Sequence, residues 1–600
     1  MRKIKPTGSA VRQRAGAQRA RGFSNATRSG RMHRMKKACL GLVLLASVLL
    51  PLALPNDIFT MGNPFVGLIC VAPLFAALCL SPSLAWASLL GAVFGALSTL
   101  CAHYWLLFYG DYSFWTIGGV VLGYMIYHSF LAPVLAVLMR SGRPGRFLLV
   151  AAAWTAYEYV KSSGFLGFPW GLLAHAMASF PPFLQIADVT GTWGVTFAVA
   201  LANSWSAELL LFSPLLRRAG GQLPLRCAAP RSRLREERGP LPGDAWRLLG
   251  RQGIFVGVVL ALLLGYGVFR CSRPMTPETS VRAVLVQHNE NPWSTGRGEE
   301  AILAAQELSR RALAAHGEAD IVVWSETAIE YFLAEESLHR ALELFPKPLP
   351  LGEFIREIGV PLLVGAPFRP REAAGYQNAA LLFGSSGELL EHYGKRHLVP
   401  LAERIPFYDF PPIEWFFGRF LGLSAGWERG SRETVFELPL RSGETVTFST
   451  PICFEDAFPD LCRRFILGGA DMLINLTNVA WSRRESAQVQ MHAAAVMRSI
   501  ENRRTLLRAT NAGVTSVIGP RGESLGALDM FTAASLVVDA PVHRTPLTVY
   551  TRLGDYFPFA LAFGVMLFLV WRLIRGRRSA RRKENVLYGQ GEDAVYLFER

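Results

Sequence analysis

The sequence predicts a multi-span α-helical membrane domain that carries a water-exposed, layered α/β domain, and three observations lead there. No Asp, Glu, Lys or Arg occurs from Ile58 to Gly110, a stretch that two membrane helices and a turn would fill and that a soluble domain rarely leaves uncharged. The section from about Cys271 to Tyr556 has ordinary soluble charge density and alternates short β-branched runs with amphipathic segments, the pattern of a layered α/β unit. Basic residues gather at the ends of apolar segments: twelve Lys or Arg and no acid within residues 1–37, then Arg140/Arg143/Arg146, Arg217–Arg251 and Arg572–Lys583. Cytoplasmic loops of membrane proteins have this placement, so the net charge of +16 points to anionic membrane lipid and away from nucleic acid.

Eight spans are expected, at roughly 38–55, 63–80, 84–107, 114–139, 146–160, 190–213, 252–270 and 557–574. Residues 1–37 then form a basic disordered tail, 38–270 a membrane domain with seven spans, 271–556 an outward-facing domain, 557–574 the eighth span and 575–600 a cytoplasmic basic tail. The fifth span is short and carries Glu158. Ser162–Ala187 is uncharged but broken by Gly164, Gly167, Pro169 and the Pro181-Pro182 pair, so it reads as re-entrant or interfacial. The first apolar segment is not a cleavable signal peptide, because its basic region is too long and further spans follow at once. With eight spans every basic cluster falls on one side, which sets the orientation. None of the eight cysteines forms a CxxC pair, so no zinc site, other metal, cofactor or disulfide framework is expected.

Within the outer section, strands are expected at Val281–Gln287, Ile321–Trp324, Pro361–Gly365, Val446–Cys453, Met472–Leu476, Leu506–Thr510 and Val514–Ile518. Gln377–Phe383 and Leu389–Tyr393 flank Gly384-Ser385-Ser386-Gly387 and make a hairpin. Helices are expected at Glu299–His316, Leu338–Leu344, Leu351–Glu357 and Ser486–Asn502.

Three polar residues close strands in this section: Glu326 after IVVW, Lys395 after the hairpin and Cys453 in PICFED. Rigid strands aim such side chains, and the loops that follow open a site. A cysteine attacks as its thiolate and needs a base, for which Glu326 qualifies; Lys395 could stabilise the oxyanion of a tetrahedral intermediate. An acyl thioester on Cys453 would then pass to a second nucleophile. A cysteine after a strand is more often a core residue, so residue type alone leaves this triad one reading among several.

The strings WSETA, YGKRHLVPLAERIP, PICFEDAFP, LINLTNVAW and RATNAGVTSVIGPRGE resemble, in order, the blocks of the nitrilase (carbon–nitrogen hydrolase) superfamily, and within it the apolipoprotein N-acyltransferase family. The segment Gly167-Phe168-Pro169-Trp170 is similar to a motif in the membrane part of that family. The resemblance implies a nitrilase-like αββα sandwich between the seventh and eighth spans. It implies a triad of Glu326 as general base, Lys395 for oxyanion stabilisation and Cys453 as nucleophile. Glu403, Glu455 and Phe454 match supporting positions, and Trp293 and Trp481 match substrate-binding aromatics. The implied reaction takes an acyl chain from a membrane phospholipid, the acyl donor, and delivers it to the α-amino group of a diacylglyceryl-apolipoprotein, the acceptor. The implied location is the bacterial inner membrane, with the catalytic domain on the periplasmic side.

The chain departs from the family pattern after Trp481, where Ser482-Arg483-Arg484-Glu485 stands in place of an aromatic-Gly-Asp turn, at Val479, and at Phe454 in place of a frequent tyrosine. The aromatic-rich Phe407–Leu423 reads as an arm reaching the lipid interface, or as a loop packed on its own domain. Two other readings remain open: a membrane-anchored amidase with water as second nucleophile, and a transporter or receptor with an inactive outer domain.

Overall fold

The computed structural model describes residues 8–110, 113–164, 166–213, 242–290, 298–420 and 424–595. Among the described residues, six helices are long and apolar enough to cross a membrane: Met32–Ala53, Leu84–Ala102, Ser113–Met139, Thr192–Phe212, Trp246–Ser272 and Tyr556–Arg575. The first belongs to a continuous helix, Gly8–Ala53, where a disordered tail was expected; the Ala, Arg and Gln residues that fill its first half are strong helix formers. Most of the Arg217–Arg251 cluster and all of Trp293 lie outside the described residues.

Two segments counted as spans from sequence are built differently. The second is broken into Pro64–Gly67 and the wholly buried Ala72–Leu80. Asn203 repairs the break: its Oδ1 accepts from the Val71 and Ala72 N–H groups at 2.8 and 3.1 Å, and its Nδ2 donates to Gly67 O. The fifth, Arg146–Ser162, has 17 residues, about 25 Å at helical rise and short of a full crossing. Its buried charges are structural. Glu158 accepts from Trp154 Nε1, Leu173 N and Thr196 Oγ1, and Lys161 donates to Tyr124 OH and Trp170 O. Both hold Ser162–Ala187 in place, which forms no span but a buried 3₁₀ turn, Leu173–Met177, and the short helices Pro181–Leu184 and Ala187–Thr190. The third expected span also ends early, at Ala102. Gln490 from the outer domain donates to the freed Ala102 carbonyl, and a 3₁₀ segment, Tyr104–Phe108, follows.

One end of the bundle is basic. Lys36 lies over Trp86, Arg140 donates to Leu78 and Cys79 carbonyls, Arg143 stacks on Trp571 at 4.1 Å, and Arg572 donates to Val137 O. The α/β domain sits at the other end.

Among the described residues, thirteen strands form that domain: β1 Thr279–Gln287, β2 Ile321–Val323, β3 Leu333–Ala334, β4 Leu362–Arg369, β5 Gln377–Phe383, β6 Leu389–Gly394, β7 Phe436–Pro439, β8 Thr445–Ser449, β9 Met472–Thr477, β10 Leu506–Thr510, β11 Ser516–Ile518, β12 Ser524–Ala527 and β13 Ala534–Val542. One sheet runs β13-β1-β2-β4-β5-β6 with β3 beside β4, the other β12-β11-β10-β9-β8-β7. Side chains alternate between layers. Val281, Ala283, Leu285, Ile321, Val323 and Leu363 meet the second sheet, whereas Val284, Val286, Val322, Trp324 and Val364 meet the helices Gly298–His316 and Leu351–Ile358. The helices Pro459–Leu467 and Glu485–Asn502 cover the second sheet. The result is the αββα sandwich expected from the resemblance. Some expected strands are shorter: Val446–Cys453 stops at Ser449, because Pro451 has no N–H for the ladder, Val514–Ile518 begins at Ser516 and Ile321–Trp324 ends at Val323.

The helix Glu485–Asn502 is buried from Ser486 to its end between sheet and membrane bundle. Its polar residues fasten the two. Arg503, at its end, pairs with Asp188 at 2.7 Å and donates to Gln185; Glu501 accepts from Thr192 N; Ser486 N donates to Asp57. Asp188 would keep Arg270 at 3.0 Å and the Tyr266 hydroxyl, so Arg503→Ala costs the bonds across the junction and not a stranded charge. It is expected to destabilise the protein by about 1–3 kcal/mol, read as a lower thermal-unfolding midpoint in detergent; an unchanged midpoint would show that this contact does not hold the domain to the bundle.

Candidate active site

Glu326, Lys395 and Cys453 converge where strands end. Glu326 lies just past β2, and Lys395 directly follows β6. Glu326 is held close against β4: a Cβ on Gly365 would lie 2.6 Å from the Glu326 Cα, so only glycine lets the loop pass. Lys395 Nζ is buried between two carboxylates, 3.1 Å from Glu326 Oε1 and 2.7 Å from Glu403 Oε1. A turn at Val399–Arg404 brings Glu403 back, and Val399 N donates to its other oxygen at 2.8 Å. Asn378 on β5 donates to both carboxylates, at 2.8 and 3.0 Å, and Asn478 N donates to Glu326 Oε2 at 2.8 Å.

Cys453 opens a 3₁₀ turn, Cys453–Ala457, in a left-handed conformation with φ of 55°. Such a conformation costs a non-glycine residue of order 1–3 kcal/mol and persists only where neighbours impose it. Here Asn475 on β9 donates to the Pro451 and Cys453 carbonyls, and Ile452 bridges to Leu476. The turn brings the thiol within electrostatic reach of Glu326, Lys395 and Glu403. Burial and the Glu326 charge push the thiol well above its ordinary range, so the resting group is protonated. Burial disfavours the Lys395 ammonium, but Glu326 and Glu403 outweigh it and keep it charged.

The supporting residues hold this geometry. Glu455 does not face the thiol. It accepts from Arg396 N at 2.7 Å, His397 N at 2.8 Å, Ile452 N at 2.8 Å and Tyr393 OH, and so fixes the Lys395 loop to the Cys453 turn. The Phe454 ring lies 5.4 Å from Lys395 Nζ and 5.8 Å from the Trp170 ring, making the site's floor with a residue of the membrane part. Trp481 packs edge-on to Tyr109 at 4.6 Å and near Trp105 at 5.8 Å. Tyr109 lies within electrostatic reach of Glu403, Lys395, Cys453 and Glu326. Asn378, Asn475, Asn478 and Tyr109 were not singled out from sequence. A buried amide inside the otherwise apolar runs QNAALLF and MLINL was the signal available for two of them. In the arm, Phe407, Phe410, Trp415 and Phe420 are more than half exposed, which fits the lipid-facing reading over packing on the domain.

Residues 282–546 match the carbon–nitrogen hydrolase family model, so sandwich and site together define an enzyme of that class. Residues 46–205 match the apolipoprotein N-acyltransferase N-terminal domain. The chain is 33% identical over 536 residues to apolipoprotein N-acyltransferase 2 of Treponema pallidum, covering 85% of this chain and 91% of the relative. It is 32% identical over 551 residues to apolipoprotein N-acyltransferase 2 of Treponema denticola, covering 90% and 98%, and 29% identical over 544 residues to the Borreliella burgdorferi apolipoprotein N-acyltransferase, covering 90% and 96%. The chain belongs to the apolipoprotein N-acyltransferase family. Among solved structures, Nit3 of Saccharomyces cerevisiae, a nitrilase-superfamily member, aligns over 45% of this chain and 93% of its own at 16% identity and a TM-score of 0.33.

Burial pushes the Glu455 carboxyl up from 4.5 to about 7, against the Ile452, His397 and Arg396 N–H groups and the Lys395 charge. Between these pH values the folded protein holds a proton that the unfolded chain has lost. Glu455 thus favours folding most at low pH, and that contribution falls as pH rises through about 7. Glu455→Gln, neutral throughout, is expected to melt further below the parent at pH 5 than at pH 8. A deficit that grows toward pH 8 would contradict the raised carboxyl.

Proposed function

We propose that the chain N-acylates lipoproteins by a ping-pong reaction on Cys453, with Glu326 as base and Lys395 as oxyanion partner. The observation that carries the reading is the buried Lys395 ammonium bridging Glu326 and Glu403 beside a strained cysteine turn. In the first half-reaction Sγ attacks the sn-1 ester carbonyl of a phospholipid while Glu326 takes its proton. Lys395 meets the charge that develops on oxygen. The ester C–O bond then breaks, and Glu326 returns the proton to the lysophospholipid alkoxide, leaving a thioester. In the second, the α-amino group of a diacylglyceryl-cysteine N-terminus attacks the thioester and loses a proton to Glu326. The thiolate leaves and is reprotonated, and the product is an amide.

Lipid substrates fit a domain fastened to a membrane bundle with its floor shared between Phe454 and Trp170. Basic groups gathered at the far end of the bundle fit a cytoplasmic face there, and hence a catalytic domain on the periplasmic side of a bacterial inner membrane. Incubation with phospholipid alone is expected to add one acyl mass to Cys453. Cys453→Ser should abolish the adduct, Glu326→Gln should slow its formation by about 10²–10⁴-fold, and Lys395→Ala by about 10²–10³-fold. A bare Cys453 thiol in enzyme that is turning over would sink the mechanism.

A further inference from the structure

Two arginines at the rim of the site have no role in the chemistry above. Arg483 and Arg484 follow Trp481 and stand at the start of the helix Glu485–Asn502. Arg483 is held in a left-handed conformation, φ 45°. It donates from Nη1 to Asn289 Oδ1 at 2.7 Å and from Nη2 to Asn289 O at 3.3 Å, both neutral acceptors. The Arg484 guanidinium lies 4.3 Å over the Phe108 ring. Neither guanidinium forms an ion pair with a described residue. The buried arginines of the same helix region do: Arg498 pairs with Glu501, Arg503 with Asp188 and Arg508 with Asp456. The nearby carboxylate, Asp57, is occupied by Ser486 N and the Tyr104 hydroxyl.

Their surroundings link nucleophile and lipid. On one side, Trp481 packs on Tyr109, and Asn289 continues through Glu290, Asn511 and Asn478 to the Glu326 carboxylate. On the other, Leu107 and Phe108 are 50% and 40% exposed, just beyond the membrane-crossing helix Leu84–Ala102. Two cations without an ion pair to a described residue thus stand between the Cys453 cluster and an exposed apolar edge next to a candidate membrane helix. A guanidinium fork matches a phosphate diester there.

We infer that Arg483 and Arg484 clamp the headgroup phosphate of the phospholipid donor, and so serve the first half-reaction and not the second. The inference rests on the function proposed above. Its chemistry is asymmetric: a phospholipid carries a phosphate, whereas a diacylglyceryl-cysteine N-terminus carries none. The clamp positions the donor ester and leaves the acceptor untouched.

The test uses the full chain in proteoliposomes, with Cys453 acylation followed by mass spectrometry against the mole fraction of phosphatidylglycerol or of diacylglycerol with the same chains. The double variant Arg483→Gln/Arg484→Gln is expected to need about tenfold more phosphatidylglycerol for half-maximal acylation. It should match the parent with diacylglycerol, and match it in amide formation from preformed acyl-enzyme and a diacylglyceryl-peptide. Arg483→Lys/Arg484→Lys should restore most of the donor affinity. An unchanged phosphatidylglycerol requirement, or an equal loss with both donors, overturns the clamp while leaving the acyl-enzyme in place. Should the parent form no acyl-enzyme, the proposed function fails separately. The clamp is then judged by binding to the Cys453→Ala protein in detergent: tenfold preference for phosphatidylglycerol over diacylglycerol, lost in the Gln pair, supports it, and equal binding overturns it. Competition by millimolar inorganic phosphate in place of any lipid preference would assign the site to free phosphate and overturn it as well.

Discussion

The whole site depends on one buried ammonium held between two carboxylates. Lys395 alone in the domain interior would lose its proton, and Glu326 and Glu403 alone would repel each other. Together they carry one net negative charge, which Asn378, the Asn478 N–H and the Val399 N–H help to solvate. That residual charge has a consequence next door. It opposes ionisation of Cys453, so the thiol stays protonated at rest. A permanent thiolate would be open to oxidation; a thiol kept protonated at rest is less exposed to it.

The second requirement is that this cluster be rigid with respect to the membrane. The helix Glu485–Asn502 meets it by being buried on every side. An apolar helix would have been enough to fill the space, but polar contacts to Asp57, Pro55, Ala102, Thr192 and Asp188 give one register between domain and bundle. These contacts also explain irregularities of the bundle. The third helix can stop at Ala102 because Gln490 takes its carbonyl, and the chain beyond delivers Trp105 and Tyr109 to the wall of the site.

Much of this was legible in the sequence, and the failures have physical causes. The apolar runs and basic flanks located the bundle, and alternation located most strands, because both patterns arise from local burial. The triad residues were visible as strand-end polar groups, but only the ordered family blocks brought them together, since sequence separation hides which strand ends are neighbours in a sheet. What local pattern could not show was repair at a distance. The break at residues 68–71 is tolerated because Asn203 caps it from another helix. The strand at β8 ends early because Pro451 interrupts it, and Cys453 takes its strained conformation because Asn475, on the adjacent strand, holds it there. Glu455 was recognised as a supporting residue, yet its work is to join two loops rather than to touch the thiol.

The arrangement of aromatic and charged groups around Cys453 also bears on why the reaction should proceed in two steps. The floor of Phe454, Trp170 and Trp105 is apolar and closely packed, while the triad above it is polar and satisfied. Under the proposed reaction, two lipids with four acyl chains between them, counting the one transferred, would have to bury much hydrocarbon beside a single thiol at once. In the proposed reaction, parking one acyl chain covalently on Cys453 would remove the donor's remainder before the acceptor enters. One set of catalytic groups would then serve both halves, with Glu326 taking a proton from sulfur in the first and from the amine in the second. Under the proposed reaction, a thioester would let the closely packed floor beside Cys453 meet one lipid at a time.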